Sequence, residues 1–290
     1  MEHFKSPFEP NDFTSTRAIL NRQFFDDTLE RARSHRYFSH PFMSAFDRRP
    51  PSRELVTFIL TSTYKLVSPF TGLLCFLGSQ APNLQSRFAL MDNIYEEMGC
   101  GDFDSAHPRL YLKMLASIGV TPDAAENMPT LRSIHRINEH LREVIEHRHF
   151  SVSCAMLALA EAVIPPTFPV LSSMARSAFP HVDMTFFDRH GVRDEGHADD
   201  ASTLFAISGD SAHFATIEEE VQRALDHRSE LFDEWMRAVA NEALDSRRIA
   251  SVRPSRPASV RPSRPVSVRP SRPPISARPA PHRGSVPPPG

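Results

Sequence analysis

The chain has 290 residues, 40% of them apolar, with 33 Lys and Arg against 35 Asp and Glu and a net charge of −2. It is long enough to bury a real core, as one large domain or two small ones. No run of about 18 or more apolar residues appears, so no membrane-spanning helix is expected. The opening MEHFKSPFEPNDF lacks the basic-then-apolar order of a signal peptide.

Ten glycines against 21 phenylalanines favour long helices around an aromatic core. Three cysteines, Cys75, Cys100 and Cys154, form no disulfide framework and suit a reducing compartment, so a cytoplasmic location is expected. The small net charge hides an asymmetry. From Ser246 onward there are ten arginines and no acidic residue, which leaves 33 − 10 = 23 basic against 35 acidic residues before it, or −12. A core this acidic lacks the basic footprint of nucleic-acid binding.

Positions 1 to 245 read as one all-α domain of seven to nine helices. Ser52 caps a segment from Arg53 to about Ser79, stopped by Ala81–Pro82–Asn83. Leu84 to Met98 follows, with an apolar stripe of Leu84, Phe88, Met91, Tyr95 and Met98, and ends at Gly99–Cys100–Gly101. Pro108 to Ile118 is next, broken by Thr121–Pro122. A polar helix runs from about Thr130 to Arg148, and its His135, His140 and His147 read as a solvated face. His35 and His40 have no carboxylate at ligand spacing.

A very apolar helix spans Ser151 to Val163, and Pro165–Pro166 separates it from a short helix reaching Phe179. Met184 to Ser208 and Ser211 to Asp245 complete the set. No strict apolar/polar alternation argues for a strand.

Residues 246–290 form a second, disordered region. Ser251–Val252–Arg253–Pro254–Ser255–Arg256–Pro257 recurs from Ser259 and from Ser267, and twelve prolines fall between Pro254 and Pro289. Such a composition forms neither helix nor sheet. Its PxxP units could dock on an SH3-like groove, or its arginines on an acidic surface; a solvated appendage is the plainer reading.

The chemistry rests on three clusters. His190–x–x–x–Asp194–x–x–His197 places three metal-ligand types on one helix face, a stripe continued by the apolar Ala201, Leu204 and Phe205. The same pattern can also arise by chance or on a solvated face. Glu161 is the one charge among residues 151–164, so it must be protonated, paired with a cation, bound to a metal, or reach solvent past Pro165. Glu97 stands ten residues before His107; it lies with Asn93 on one shoulder of its helix, whereas Glu96 is paired with Asp92 toward solvent. Glu97 is the better ligand candidate and Glu96 the runner-up.

Taken together, E–x9–H, a Glu in an apolar helix, and H–x3–D–x2–H about 30 residues later resemble the haem-oxygenase-like di-iron oxidase family. His40–Pro41–Phe42, Asn93–x–x–Glu96–Glu97–x–Gly99 and His107–Pro108–x–Leu110 share the likeness, which runs from about Ser39 to Ser208.

The resemblance implies a haem-oxygenase-like bundle binding two Fe(II) ions through Glu97, His107, Glu161, His190, Asp194 and His197, with O2 as co-substrate. It implies oxidation of a small organic molecule, such as an amino acid, fatty acid or amine, and leaves room for an external electron donor and a homodimer. Two ferrous ions and three carboxylates nearly neutralise each other, and a set without thiolate suits iron better than structural zinc. Members that insert oxygen at nitrogen tend to carry a further carboxylate on the preceding helix. Here no Asp or Glu occurs between Leu55 and Arg87, and Thr71 stands near that place, which favours desaturation or C–C cleavage. The alternatives are a thiaminase-like enzyme using Cys154, a cofactor-free enzyme, or an interaction protein acting through its tail.

Overall fold

In the computed structural model, residues 9, 12, 14–46 and 51–240 are described, with backbone alone at 164, 165, 190–200 and 240. The boundary at 245 and the repeat tail 246–290 lie outside the described residues. Nine α-helices and three short 3-10 turns make up the described chain, with no strand among the described residues.

Helix α1 (Thr16–Ala32) and the short α5 (Pro122–Asn127) have no counterpart in the sequence reading; each starts on a hydroxyl cap, Ser15 and Thr121. Helix α2 (Arg53–Gln80) begins where Ser52 accepts a hydrogen bond from the Leu55 N–H and stops before Pro82, as its caps predict. Helices α3 (Leu84–Glu97), α4 (His107–Ser117), α6 (Arg132–His147), α8 (Thr185–Ser208) and α9 (Phe214–Ala240) fall close to their expected limits.

One helix breaks the expectation. Helix α7 runs without interruption over Phe150–Ala178, through Pro165, Pro166 and Pro169. Each proline removes an N–H and crowds the preceding turn, at about 3 kcal/mol or more. The helix is the axis of the bundle, packed against α8, α2, α9 and α6. Residues 150–161 are all buried, as are Val163, Leu171, Met174 and Ala175 beyond. At about 1.5–3 kcal/mol per buried large side chain, tertiary packing outweighs the local penalty. By length and composition α7 could also cross a membrane, but 62% of its apolar window is buried inside the bundle.

The face of α3 is also turned. Leu84, Phe88, Met91, Tyr95 and Met98 are exposed, whereas Ser86, Leu90, Asn93, Ile94 and Glu97 are buried. The apolar stripe is therefore not the core face, and this rotation carries Glu97 inward.

Polar contacts tie α1 to the end of α8. Asn21 Nδ2 donates to the Ala206 and Gly209 carbonyls, both at 2.9 Å, closing orphan groups at the end of α8. Contrary to expectation, His35 and His40 do find carboxylates, both on α9: Asp226 and Asp233, each at 3.1 Å. Sequence spacing could not show partners nearly 200 residues away. Tyr37 and Phe42 stack on Phe232 beside them, Trp235 lies tilted against Phe42, and Trp235 Nε1 donates to Ser62 at 3.0 Å.

Candidate metal centre

Helix α3 ends on Glu97, and the chain then turns through three successive positive-φ residues, Gly99 (79°), Cys100 (56°) and Gly101 (86°). A Cβ at Gly99 would lie 2.3 Å from the Asp102 carbonyl oxygen and 2.5 Å from the Ala106 nitrogen, so only glycine fits. Tyr95 Oη donates to the Cys100 carbonyl at 2.8 Å and braces the turn. The turn delivers His107 as the first residue of α4, ahead of Pro108, whose fixed φ suits a helix start.

The result is a close pair. His107 Nδ1 lies 2.9 Å from Glu97 Oε1, with both side chains under a tenth exposed. Phe186 of α8 stands edge-on to the imidazole at 6.3 Å.

Glu161 is buried on α7 and, with Glu97 and His107, lines one cavity of about 110 Å³. Its reach to solvent past Pro165 is thereby ruled out. At about 10–15 Å³ per water-sized occupant, the cavity holds a molecule on the order of ten non-hydrogen atoms. Its walls are mostly apolar, from Val67 and Phe70 of α2, Leu141 of α6, Phe168 and Leu171 of α7, and Leu231 and Trp235 of α9.

His190, Asp194 and His197 fall within α8, whose helical backbone runs unbroken through all three positions. Their side chains lie outside the described residues. On the same stripe, Phe186 and Phe187 before them and Ala201, Leu204 and Phe205 after them are buried. Among the described residues no group of three His, Cys, Asp or Glu side chains closes a metal site. Glu96, the runner-up to Glu97, does not line the cavity.

Two features escaped the sequence reading. Arg228 of α9 lines the cavity, and burial pulls its guanidinium below the usual arginine range, against the opposing pull of Tyr37 and Glu161. His140 is not solvated: it is buried, 2.7 Å from the buried Glu220, which also accepts from Arg148 Nε at 2.9 Å. Both signals were hidden among the dense charges of α6 and α9. Cys154 is fully buried, is absent from the described cavity walls, and has its thiol pKa pushed up by burial. That is the opposite of an activated nucleophile.

The helical bundle has the haem-oxygenase-like fold. It is shared by a domain of unknown function from Shewanella denitrificans with 15% identity and a TM-score of 0.59, over 83% of this chain and 98% of that one. A CADD-like protein of unknown function from Nostoc punctiforme aligns at 13% identity and TM-score 0.63, covering 75% and 98%. A TenA homolog from Pseudomonas syringae pv. tomato aligns at 13% and 0.59, covering 81% and 100%. At such identities the likeness is one of fold alone. No curated protein matches the chain. The chain belongs to the iron-containing redox enzyme family, which it matches over residues 57–244.

Proposed function

We propose that the chain is a non-haem di-iron oxidase. Glu97, His107, Glu161, His190, Asp194 and His197 would hold two Fe(II) ions, and a small organic substrate would be oxidised in the adjoining cavity.

The observation that carries this reading is the convergence of Glu97, His107 and Glu161 on one cavity, from three helices. A buried imidazole and a buried carboxylate held 2.9 Å apart are close enough to serve as two ligands of one cation. The donor set fits iron: imidazole and carboxylate with no thiolate, and three further ligand types at helical spacing within α8.

When bound, the metal supplies O2 activation. The protein's share is positioning. The turn at Gly99 fixes Glu97 against His107, and the aromatic and aliphatic walls exclude water and seat the substrate. Thr71, where a further carboxylate would stand, keeps the reading on desaturation or C–C cleavage rather than N-oxygenation. Removing two hydrogens while reducing O2 to two waters takes two further electrons, which an external donor would provide. A cytoplasmic setting, with free Cys75, Cys100 and Cys154, belongs to the same proposal.

The test is anaerobic loading of the full chain with Fe(II), then mixing with O2. An O2-dependent optical transient is expected, and Glu161→Ala and His190→Ala should abolish it. Transients of unchanged amplitude in both variants would overturn the assignment.

A further inference from the structure

Arg228 is a cation on the wall of a mostly apolar cavity, and among the described residues no carboxylate forms an ion pair with it. No hydrogen bond or ion pair engages its guanidinium among the described residues. Glu161 is within electrostatic reach but forms no ion pair with it. Burying an arginine this way is costly, and a guanidinium left unengaged in a cavity is the half of a pair that a ligand completes.

The other donors on the walls are already engaged. Tyr37 Oη donates to the Val163 carbonyl at 2.9 Å and stands 2.6 Å from Thr167 Oγ1. Thr63 donates to the Ile59 carbonyl, Asn138 to the Lys65 carbonyl, and Trp235 to Ser62. Arg228 is thus the polar wall group with unspent capacity. Its planar fork matches a carboxylate bidentately, a geometry that lysine and hydroxyls do not offer. The rest of the cavity asks for a hydrocarbon body.

We infer that Arg228 anchors the carboxylate of an otherwise apolar substrate of about ten non-hydrogen atoms, with the body of that substrate lying along Val67, Phe70, Leu141 and Phe168. The anchor rests on the oxidase reading for the sign of the site's charge, which the two ferrous ions set. With two Fe(II), three carboxylate ligands and Arg228, the proposed site sums to +4 − 3 + 1 = +2. An anionic head group lowers that charge, whereas an amine would raise it. The substrate class is therefore a medium-length monocarboxylate, ahead of amines and neutral alcohols.

Trp235, the chain's single tryptophan, lines the cavity and reports occupancy by fluorescence. Octanoate, 1-octanol and octylamine are titrated into the full-length chain, both iron-loaded and chelator-treated, with iron measured on each sample. Octanoate should bind about tenfold or more tighter than the other two in the iron-loaded sample, as charge-assisted hydrogen bonds give, and its lead over octylamine should shrink once chelation removes the ferrous charge. Arg228→Gln should erase the preference, and Arg228→Lys should keep part of it. Circular dichroism checks the fold; if Arg228→Gln does not fold, the reduced preference of Arg228→Lys carries the test. Equal binding of octanoate and octanol by the wild type, or unchanged octanoate affinity in folded variants, overturns the anchor. Iron uptake with no Arg228 effect sinks this inference alone. An Arg228-dependent preference in a chain that takes up no iron sinks the oxidase reading alone.

Discussion

His107 Nδ1 and Glu97 Oε1 stand 2.9 Å apart, at the two ends of a turn that depends on three positive-φ residues. The pair is buried, and under the proposed metal centre its imidazole and carboxylate would serve one cation.

Gly99→Ala should disturb this pair without touching it. The new Cβ meets backbone atoms at 2.3–2.5 Å and the residue must keep φ near 79°, so the turn has to open. A loss of about 2–5 kcal/mol is expected from strain and overpacking combined. Urea unfolding measures it, and iron retention should fall in parallel. A variant as stable as the wild type would show that the turn is not what holds Glu97.

The register of α3 can be tested by two substitutions. Leu84 is 74% exposed and Leu90 only 1%. Leu84→Gln should change stability by no more than about 0.5 kcal/mol, whereas Leu90→Ala should cost about 2–5 kcal/mol. The reverse ranking would restore the apolar stripe to the core and turn Glu97 outward.

Stability should fall as the pH drops below neutrality. Burial lowers the pKa of both His140 and His227, so the unfolded chain takes up protons near pH 6.5 while the folded chain does not. By linkage, stability is lost as pH falls through that range. For Glu220, burial opposes the charge, but hydrogen bonds from His140 and Arg148 outweigh it and hold the carboxyl low. Its contribution is present above the ordinary carboxylate range and is lost at still lower pH. Thermal unfolding at pH 7.5, 6 and 5 should show a falling Tm, with His140→Gln flattening part of the slope. A flat profile for the wild type would contradict the buried network.

Much of the fold is legible in the sequence because its punctuation is local. Ser52 and Asn83 cap helices, and Pro82 and Gly99 stop them. Glu161 is visible as a lone charge in an apolar helix. What is not legible depends on partners far along the chain. Pro165 and Pro166 read as a break because the packing that keeps α7 whole comes from four other helices. His140 reads as solvated because Glu220 stands 80 residues on. Arg228 looks like one more charge on a polar helix until α9 is placed against Tyr37 and Glu161. The exposed apolar side of α3 misled for the opposite reason, since hydrophobicity marks a face without saying whether it is covered.

The most direct measurement is iron stoichiometry. Full-length wild type, Glu97→Ala, His107→Ala and Glu161→Ala are loaded anaerobically with Fe(II), freed of excess metal and analysed. About two irons per wild-type chain are expected, with a loss of at least about half in each folded variant. A wild-type chain that retains no iron, or three variants that retain as much as it does, would contradict the metal centre itself.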